Sequence, residues 1–464
     1  MSALARLTCG AQKTKDDSIE VDVAIVGGGA SGAYLAVRLR EDYEKQIVVI
    51  EKTDRLGGHV HSYQPPDGGD PINYGVQAYL NRPRTADFFE RFNVSLVDPE
   101  LSDGIDLFLR TKNVDFQSGQ SVDVDYGPFD LAGVPEALLR YLGFAIKYQP
   151  WFEDGYFQQG EVPEDLLLPF GDFLDKYNLG GALGVLRNLL WLSEPLKTST
   201  WHVMAVVGQP QIAAFGLDLT GPSFKYPGTH SSETLFDRVL DLLADDVLLK
   251  STVAASKRTD TGVSLTVQTP SGQKSVRAKK LLIAATPSPD NIGSWDLDDN
   301  ESTLFGKFSW ETLYVGVING TGLPNDVTGI RNTPDDEKDF FLPQGNFVDA
   351  YDRSGDRDIW QTRVIGGRAL SLDEARAMLL SPLHTMGESG LYPIGEPSIA
   401  AFASHGLTVP KLTPDDLKDG FYNKLYSLQG QRSTFWTGLT WAPDYTPIIW
   451  DFNEKLLPQI VEGL

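Results

Sequence analysis

The run VDVAIVGGGASGAYLAVRLREDYEKQIVVIE, Val21 to Glu51, constrains the fold more than any other stretch of the chain. Its order of apolar strand, glycine turn, helix, second strand and acid has few three-dimensional solutions. Val21 to Val26 is short and rich in β-branched residues, which predicts a buried parallel strand. It ends in Gly27, Gly29 and Gly32, spaced as G-x-G-x-x-G. The first glycine permits a tight turn, the second lets a pyrophosphate approach the main chain, and the third lets helix and strand pack closely. Ala30 and Ser31 would open the helix, with Leu35, Ala36 and Leu39 following at helical spacing. Gln46 to Ile50 predicts a second strand, and Glu51 stands nineteen residues after Gly32, placed to accept hydrogen bonds from a ribose. An acid there would repel a 2′-phosphate, so NADP is disfavoured. Lys52, next to it, completes the expected nucleotide contacts of this segment.

Beyond Glu51 the chain reads KTDRLGGHVHSYQPPDGGDPINYGVQAYL. Here it resembles the flavin-containing amine oxidoreductase superfamily, whose ribose acid is followed by R-x-G-G-R. Arg55, Gly57 and Gly58 match that pattern, whereas His59 stands where the family usually has arginine. The resemblance implies FAD, with the glycine pair passing close to flavin and diphosphate and His59 donating to one of them. The segment Asn73, Tyr74, Gly75, Val76, Gln77 and Ala78 is similar to the family's next flavin contact. The G-G-H variant resembles a branch containing polyunsaturated fatty acid isomerases and fungal cyclopiazonate dehydrogenase-like enzymes. His59 and His61 lack a third nearby ligand, so no metal site is expected.

Composition narrows the partners. A net charge of −23 over 464 residues argues against nucleic acid or an anionic membrane surface, both of which require a basic face. The longest apolar stretch, Leu179 to Leu192, is interrupted by Arg187 and Asn188 and falls short of the ~20 residues of a spanning helix. A single cysteine, Cys9, excludes an internal disulfide and a Cys-x-x-Cys redox motif, so redox chemistry must come from a bound cofactor. The first eighteen residues lack the apolar core of a signal peptide. Localisation stays open: a soluble chain, cytoplasmic as written, or secreted if a leader was removed. The sequons at Asn93, Asn300 and Asn319 are read as incidental. Oligomeric state is not legible.

Nucleotide-like and chemistry-poor segments alternate along the rest of the chain. The expected fold is α/β: a Rossmann-like FAD-binding domain (1–100, 225–295 and 426–464) interleaved with an α+β, amine oxidase-like substrate domain (101–224 and 296–425). Within the latter, Val134 to Tyr148 predicts a helix opened by Pro135, with Leu138, Leu139, Leu142 and Ala145 as its apolar residues. Trp151, Phe152, Tyr156 and Phe157 follow as an aromatic cluster, core or pocket. In the middle block, YPGTHSSETLFDRVLDLL predicts a turn and helix with Leu235, Val239 and Leu242 on one face, and Pro270 to Gly272 a hairpin turn. The resemblance pairs the backbone of Val253 with adenine and sets the strand Leu281 to Ala285 beside the cofactor.

A sheet is expected from Trp310 to Ile318. Amine oxidases commonly carry a lysine on this strand; an ungapped comparison puts Thr312 there, with Lys307 five residues earlier. The last matching segment, Gly430 to Leu457, predicts a strand ending at Gly438 and a helix starting near Thr446 and Pro447, whose N-terminal N–H groups would stabilise negative charge on reduced flavin. Leu439 and Thr440 replace the family's acidic position. Trp436, Trp441 and Tyr445 are candidate aromatic walls, and Thr312, Trp441 and Tyr445 the pocket candidates. Together these features predict an FAD-dependent oxidoreductase that takes hydride from a small, lipophilic organic substrate. The alternative is an FAD-dependent double-bond isomerase of polyunsaturated fatty acids.

Overall fold

A computed structural model of the protein describes residues 18–98, 111–125, 135–156, 160–212, 224–355 and 357–464. Cys9, Val134 and Phe157 lie outside the described residues.

The first βαβ unit forms as its periodicities dictate. Strand β1 (Ser18–Val26) leads into helix α1 (Ala30–Val37), and β2 (Ile47–Ile50) returns beside it. Val23, Ala24, Ile25 and all four residues of β2 are buried, as expected of parallel strands covered on both faces. Each such valine or isoleucine contributes about 1.5–3 kcal/mol by leaving water.

Two seven-stranded sheets organise the described residues. In the first, β2 and β1 are joined by Val247–Leu248, by the strands Thr252–Thr259, Gly262–Thr269 and Gly272–Ile283, and by a late strand, Thr434–Trp436. Four parallel strands end level with one another: Val26 pairs with Ile50 and with Ile283, and Ile283 pairs with Trp436. The residues that follow those ends share one edge of the sheet, the carboxyl edge where ligands bind in open α/β sheets.

The second sheet holds β3 (Ser309–Asn319) between Ile359–Gly367 and β4 (Ser398–Lys411), and continues through Phe347–Arg353, Gly329–Asn332, Thr111–Asp115 and Gln120–Ser121. Alternation along β3 divides its side chains. Tyr314 and Ile318 join a core with Trp360, Leu379 and Met386. Leu313 and Val315 face the other way, with Phe347 and Ile365, towards Tyr74, Trp191 and Ala403. Tyr74 belongs to the segment 73–78, so this second face looks onto that segment.

The predicted helix at Pro135 is Glu136–Tyr148, with Pro135 as its N-cap. Leu138 and Ala145 are buried, but Leu139 is 42% exposed: with Ala137, Leu138, Tyr141, Ala145 and Tyr148 on the buried face, Leu139 falls on the opposite side of the helix. Phe152 and Tyr156 are buried core, packing edge-on to Trp201 and stacked on Tyr422 respectively. Among the described residues no helix is long and apolar enough to cross a membrane, and no cluster of histidine, cysteine or acid could hold a metal ion.

Candidate cofactor site

The carboxyl edge of the first sheet is lined almost entirely by main chain. Gly27 turns at φ +98°, and its N–H donates to the Ile50 carbonyl at 2.9 Å. A Cβ at Gly32 would lie 1.9 Å from the Gly27 oxygen, so only glycine lets α1 leave the turn this closely. The second glycine pair then packs onto the first: Gly57 N–H donates to Gly28 O at 2.9 Å, and Gly29 bridges Gly57. A Cβ on Gly58, itself at φ +59°, would sit 3.0 Å from the Gly29 Cα. The two loops therefore meet as a seam without side chains.

Glu51 ends β2 with its carboxylate fixed. One oxygen accepts the Gly28 N–H at 2.7 Å; the other accepts the Thr53 N–H and hydroxyl, each at 2.8 Å. Lys52 beside it is exposed. The chain 248–251 runs along this corner, with Glu51 N–H donating to Leu248 O, Lys250 N–H to Thr53 O and Ser251 N–H to Glu51 O. Val253 follows two residues on, its carbonyl accepting the Ser294 hydroxyl at 2.8 Å.

Helix α2 (Thr446–Val461) fixes the start of α1 from the far end of the chain. Trp450 Nε1 donates to Ala30 O at 2.9 Å. Asn453, fully buried, accepts from the hydroxyls of Ser31 and Thr437 and donates to Ser31 O and Oγ. Thr437 and Gly438 (φ +102°) lead out of the strand Thr434–Trp436, and Pro447 falls in the first turn of α2, where its missing N–H costs nothing.

The G-G-H loop carries the polar part of the site. The segment 73–78 presses on it: a Cβ at Gly75 would lie 2.1 Å from His59 O, and the N–H groups of Val76 and Tyr74 donate to His59 O and His61 O. Gln77 is exposed and bonds Gln361, while Ala78 is half-buried. His59 stacks on His405 of β4, rings parallel and centroids 4.3 Å apart, and His405 stacks on His61 at 5.6 Å. Arg55 holds the loop by donating to Leu56 O and Gly58 O, and it reaches His61 Nδ1 at 2.8 Å. Burial and the neighbouring Arg55 push the His61 pKa down to about 3; burial likewise holds His59 and His405 below the usual imidazole value. Asp444, two residues before α2, is exposed to solvent on one side, while the protein around its carboxyl raises the pKa, opposed by attraction to His59.

The pocket candidates separate. Tyr445 is the N-cap of α2, half-buried, its hydroxyl donating to Val206 O at 2.8 Å. Trp441 is fully buried in a stack with Trp436 and Tyr426, and so is core. Thr312 does not join the cluster. Alternation puts it on the Tyr314 face of β3, where its hydroxyl donates to the carbonyls of Gly366 and Gly367. Lys307 precedes the strand and pairs with Asp416. Its neighbour Leu313 takes the other face of β3, towards Tyr74 and Trp191.

A dinucleotide fits this edge. The seam would admit a pyrophosphate at the start of α1, with Glu51 at the end of β2 to meet a ribose, and the buried Thr440 hydroxyl and Trp441 indole N–H lack partners beyond Gly438. Sequence reading missed His405 and Asp444. His405 sits in a strand of small residues and gives no local signal; Asp444 lies inside the quoted C-terminal motif, where only its aromatic neighbours drew notice.

Residues 25–92 match a family model described as an NAD(P)-binding Rossmann-like domain. The chain is 32% identical over 449 residues to β-cyclopiazonate dehydrogenase of Aspergillus flavus, covering 96% of this chain and 94% of that protein. It is 32% identical over 465 residues to an FAD-dependent oxidoreductase of Cochliobolus heterostrophus, covering 97% and 92%. Among solved structures, the conjugated linoleic acid-producing fatty acid isomerase of P. acnes superposes with a TM-score of 0.73 at 19% identity, over 95% of this chain and 99% of that one.

Proposed function

The chain belongs to the family of FAD-dependent oxidoreductases that contains β-cyclopiazonate dehydrogenase, and from that premise we propose that it oxidises a small, largely apolar organic molecule by hydride transfer to FAD at the glycine seam. The enzyme class and the cofactor follow from the family. Bound FAD supplies the two-electron acceptor.

The residues of this chain do the rest. Gly27 to Gly32 and Gly57 to Gly58 offer main chain to the pyrophosphate, and Glu51 takes the adenosine ribose. The first turn of α2, entered through Tyr445, Thr446 and Pro447, presents its N-terminal N–H groups to the flavin end, where they favour negative charge. The observation that carries the substrate class is the apolar face opposite: Leu313, Val315, Phe347 and Ile365 with Tyr74 and Trp191 give an organic substrate a water-poor surface. That face excludes water from the transferred hydrogen and orients the donor. Arg363, paired across the strands with Val315 and set over the Trp191 ring, is the charge beside this face and is neutralised by Asp349.

The test is anaerobic mixing of holoenzyme with linoleic acid or cyclohexylamine as probes while flavin absorbance is followed. Lasting bleaching by the apolar probe supports oxidation. Conversion of linoleic acid with the flavin oxidised at the end would replace oxidation with double-bond isomerisation, and a protein unable to retain FAD would sink both.

A further inference from the structure

We propose that the cavity beside the turn 73–78 is a head-group subsite for the substrate. It takes an uncharged group that both accepts and donates hydrogen bonds, such as a carboxamide, while the apolar body of the same molecule lies along Leu313, Val315 and Ile365. This deepens the reading of a largely apolar organic substrate and rests on it. The cavity encloses about 500 Å³ between the loop 65–72, the turn 73–78, the segment 226–230 and the facing ends of the strands Phe347–Arg353 and Ile359–Gly367. That volume suits a small molecule.

Two walls of the cavity also border the apolar face. In the turn, Asn73 and Gln77 line the cavity, while Tyr74 packs with Leu313 and Val315. Along the strand Ile359–Gly367, Gln361, Arg363 and Ile365 alternate onto one side, opposite Val317, Val315 and Leu313 of β3. Gln361 lines the cavity and Ile365 joins the apolar face. Four residues of strand separate them, about 13 Å. An extended molecule laid along this strand therefore has its head at Gln361 and its body at Ile365.

The polar groups at the head end form an open chain. Gln77 Nε2 donates to Gln361 Oε1, and Gln361 Nε2 donates to the Ser354 hydroxyl oxygen at 2.9 Å. Among the described residues Gln77 Oε1 receives no donor and the Ser354 hydroxyl hydrogen meets no acceptor. Bonds in series polarise one another, so the chain presents a strengthened acceptor at one end and a strengthened donor at the other. Asn73 adds a donor: its Oδ1 accepts from the Ser62 hydroxyl and the Ser232 N–H, which leaves Nδ2 without a partner among the described residues. The charges nearby are already matched. Arg357 donates to Asp67 and to Gly68 O, and Arg363 gives Nε and Nη2 to Asp349. Asp70, 3.9 Å from His230, is 75% exposed, where an ion pair is worth little. An ionised head would lose water and find no spare opposite charge, whereas a carboxamide meets both ends of the chain.

The experiment uses octanamide, octanoate and octylamine, which share one chain and differ in the head. Their binding to holoenzyme is followed by isothermal titration calorimetry near neutral pH. Octanamide is expected to bind about tenfold more tightly than either ion. Gln361→Leu and Ser354→Ala should each weaken octanamide by about 3- to 10-fold, the loss of one or two neutral hydrogen bonds, and leave the two ions unaffected. Flavin content and urea midpoint are measured alongside. Should Gln361→Leu fail to fold, Ser354→Ala decides, because Ser354 lies beyond the end of its strand. Octanamide held equally by wild type and folded variants, or not held at all, would overturn the subsite and leave the oxidoreductase reading intact. Tighter binding of octanoate or octylamine would overturn the uncharged head. Failure of wild type to retain FAD would instead overturn the oxidoreductase reading, and the same titrations on that protein would still decide for or against the cavity.

Discussion

Replacing the second and third glycines of the turn separates cofactor recognition from folding. Gly32→Ala puts a Cβ 1.9 Å from the Gly27 oxygen and 3.2 Å from the Ala284 Cβ, whereas real Cβ contacts do not fall under 3.0 Å. The backbone must open by about an ångström where α1 leaves β1. Overpacking of that kind costs about 1–3 kcal/mol, and collision with main chain puts it at the upper end; the better helix propensity of alanine returns at most ~1 kcal/mol. The net expectation is about 2 kcal/mol of lost stability, with flavin lost as well. Gly29→Ala behaves differently. Gly29 already sits at φ −65°, allowed to any residue, and its Cβ would meet nothing closer than the Gly58 Cα at 3.7 Å. The apoprotein should keep its stability within ~0.5 kcal/mol. A methyl in the seam, however, holds the pyrophosphate off the N–H groups, forfeiting one or two charge-assisted hydrogen bonds at about 1.5–3 kcal/mol each and weakening FAD by 10- to 100-fold or more. Urea unfolding of the apoproteins and fluorescence titration with FAD measure the two quantities separately. Gly29→Ala with wild-type affinity for FAD would refute the seam as the path of the pyrophosphate.

Acidification should destabilise the native chain before its carboxylates titrate. His61 and His202 have folded pKa values of about 3 against about 6.5 unfolded, so below pH 6.5 the unfolded chain binds protons that the native one refuses; at pH 5 this removes about 2 kcal/mol for each group. A urea midpoint unchanged between pH 7.5 and 5 would show that these imidazoles protonate in place. Asn453→Ala leaves buried groups of Ser31 and Thr437 without their partner at about 1–3 kcal/mol each, so thermal release of flavin should come several degrees earlier; an unchanged release temperature would mean that α2 does not fix the start of α1.

Legibility from sequence followed the distance between cooperating residues. Gly27 to Glu51 could be read because strand, turn, helix and acid are consecutive, and each glycine has a local geometric reason. The same holds for the start of α2 at Thr446, which Pro447 announces. His59 could be recognised as unusual but not explained, since its ring partner is 346 residues away in β4, a pairing fixed by the second sheet. Thr312 stands apart from the histidine cluster for another reason. Its place comes from an ungapped comparison, and in a strand a slip by one residue sends a side chain to the opposite face. Trp441 looked like a cavity wall by residue type, yet aromatic composition does not distinguish a stacked core from a pocket.

The hydrogen bond between Ser31 and Thr437 closes a loop of 406 residues, and with Trp450 and Asn453 it completes the end of α1 on which an anion would rest. A ribosome adds roughly 5–20 residues each second, so the glycine turn waits on the order of half a minute for the residues that secure it. Flavin capture is thereby tied to completion of the chain: a nascent or truncated product that ends before Thr437 has the nucleotide motif but not the finished site. The arrangement delays any flavin chemistry until the surrounding walls exist.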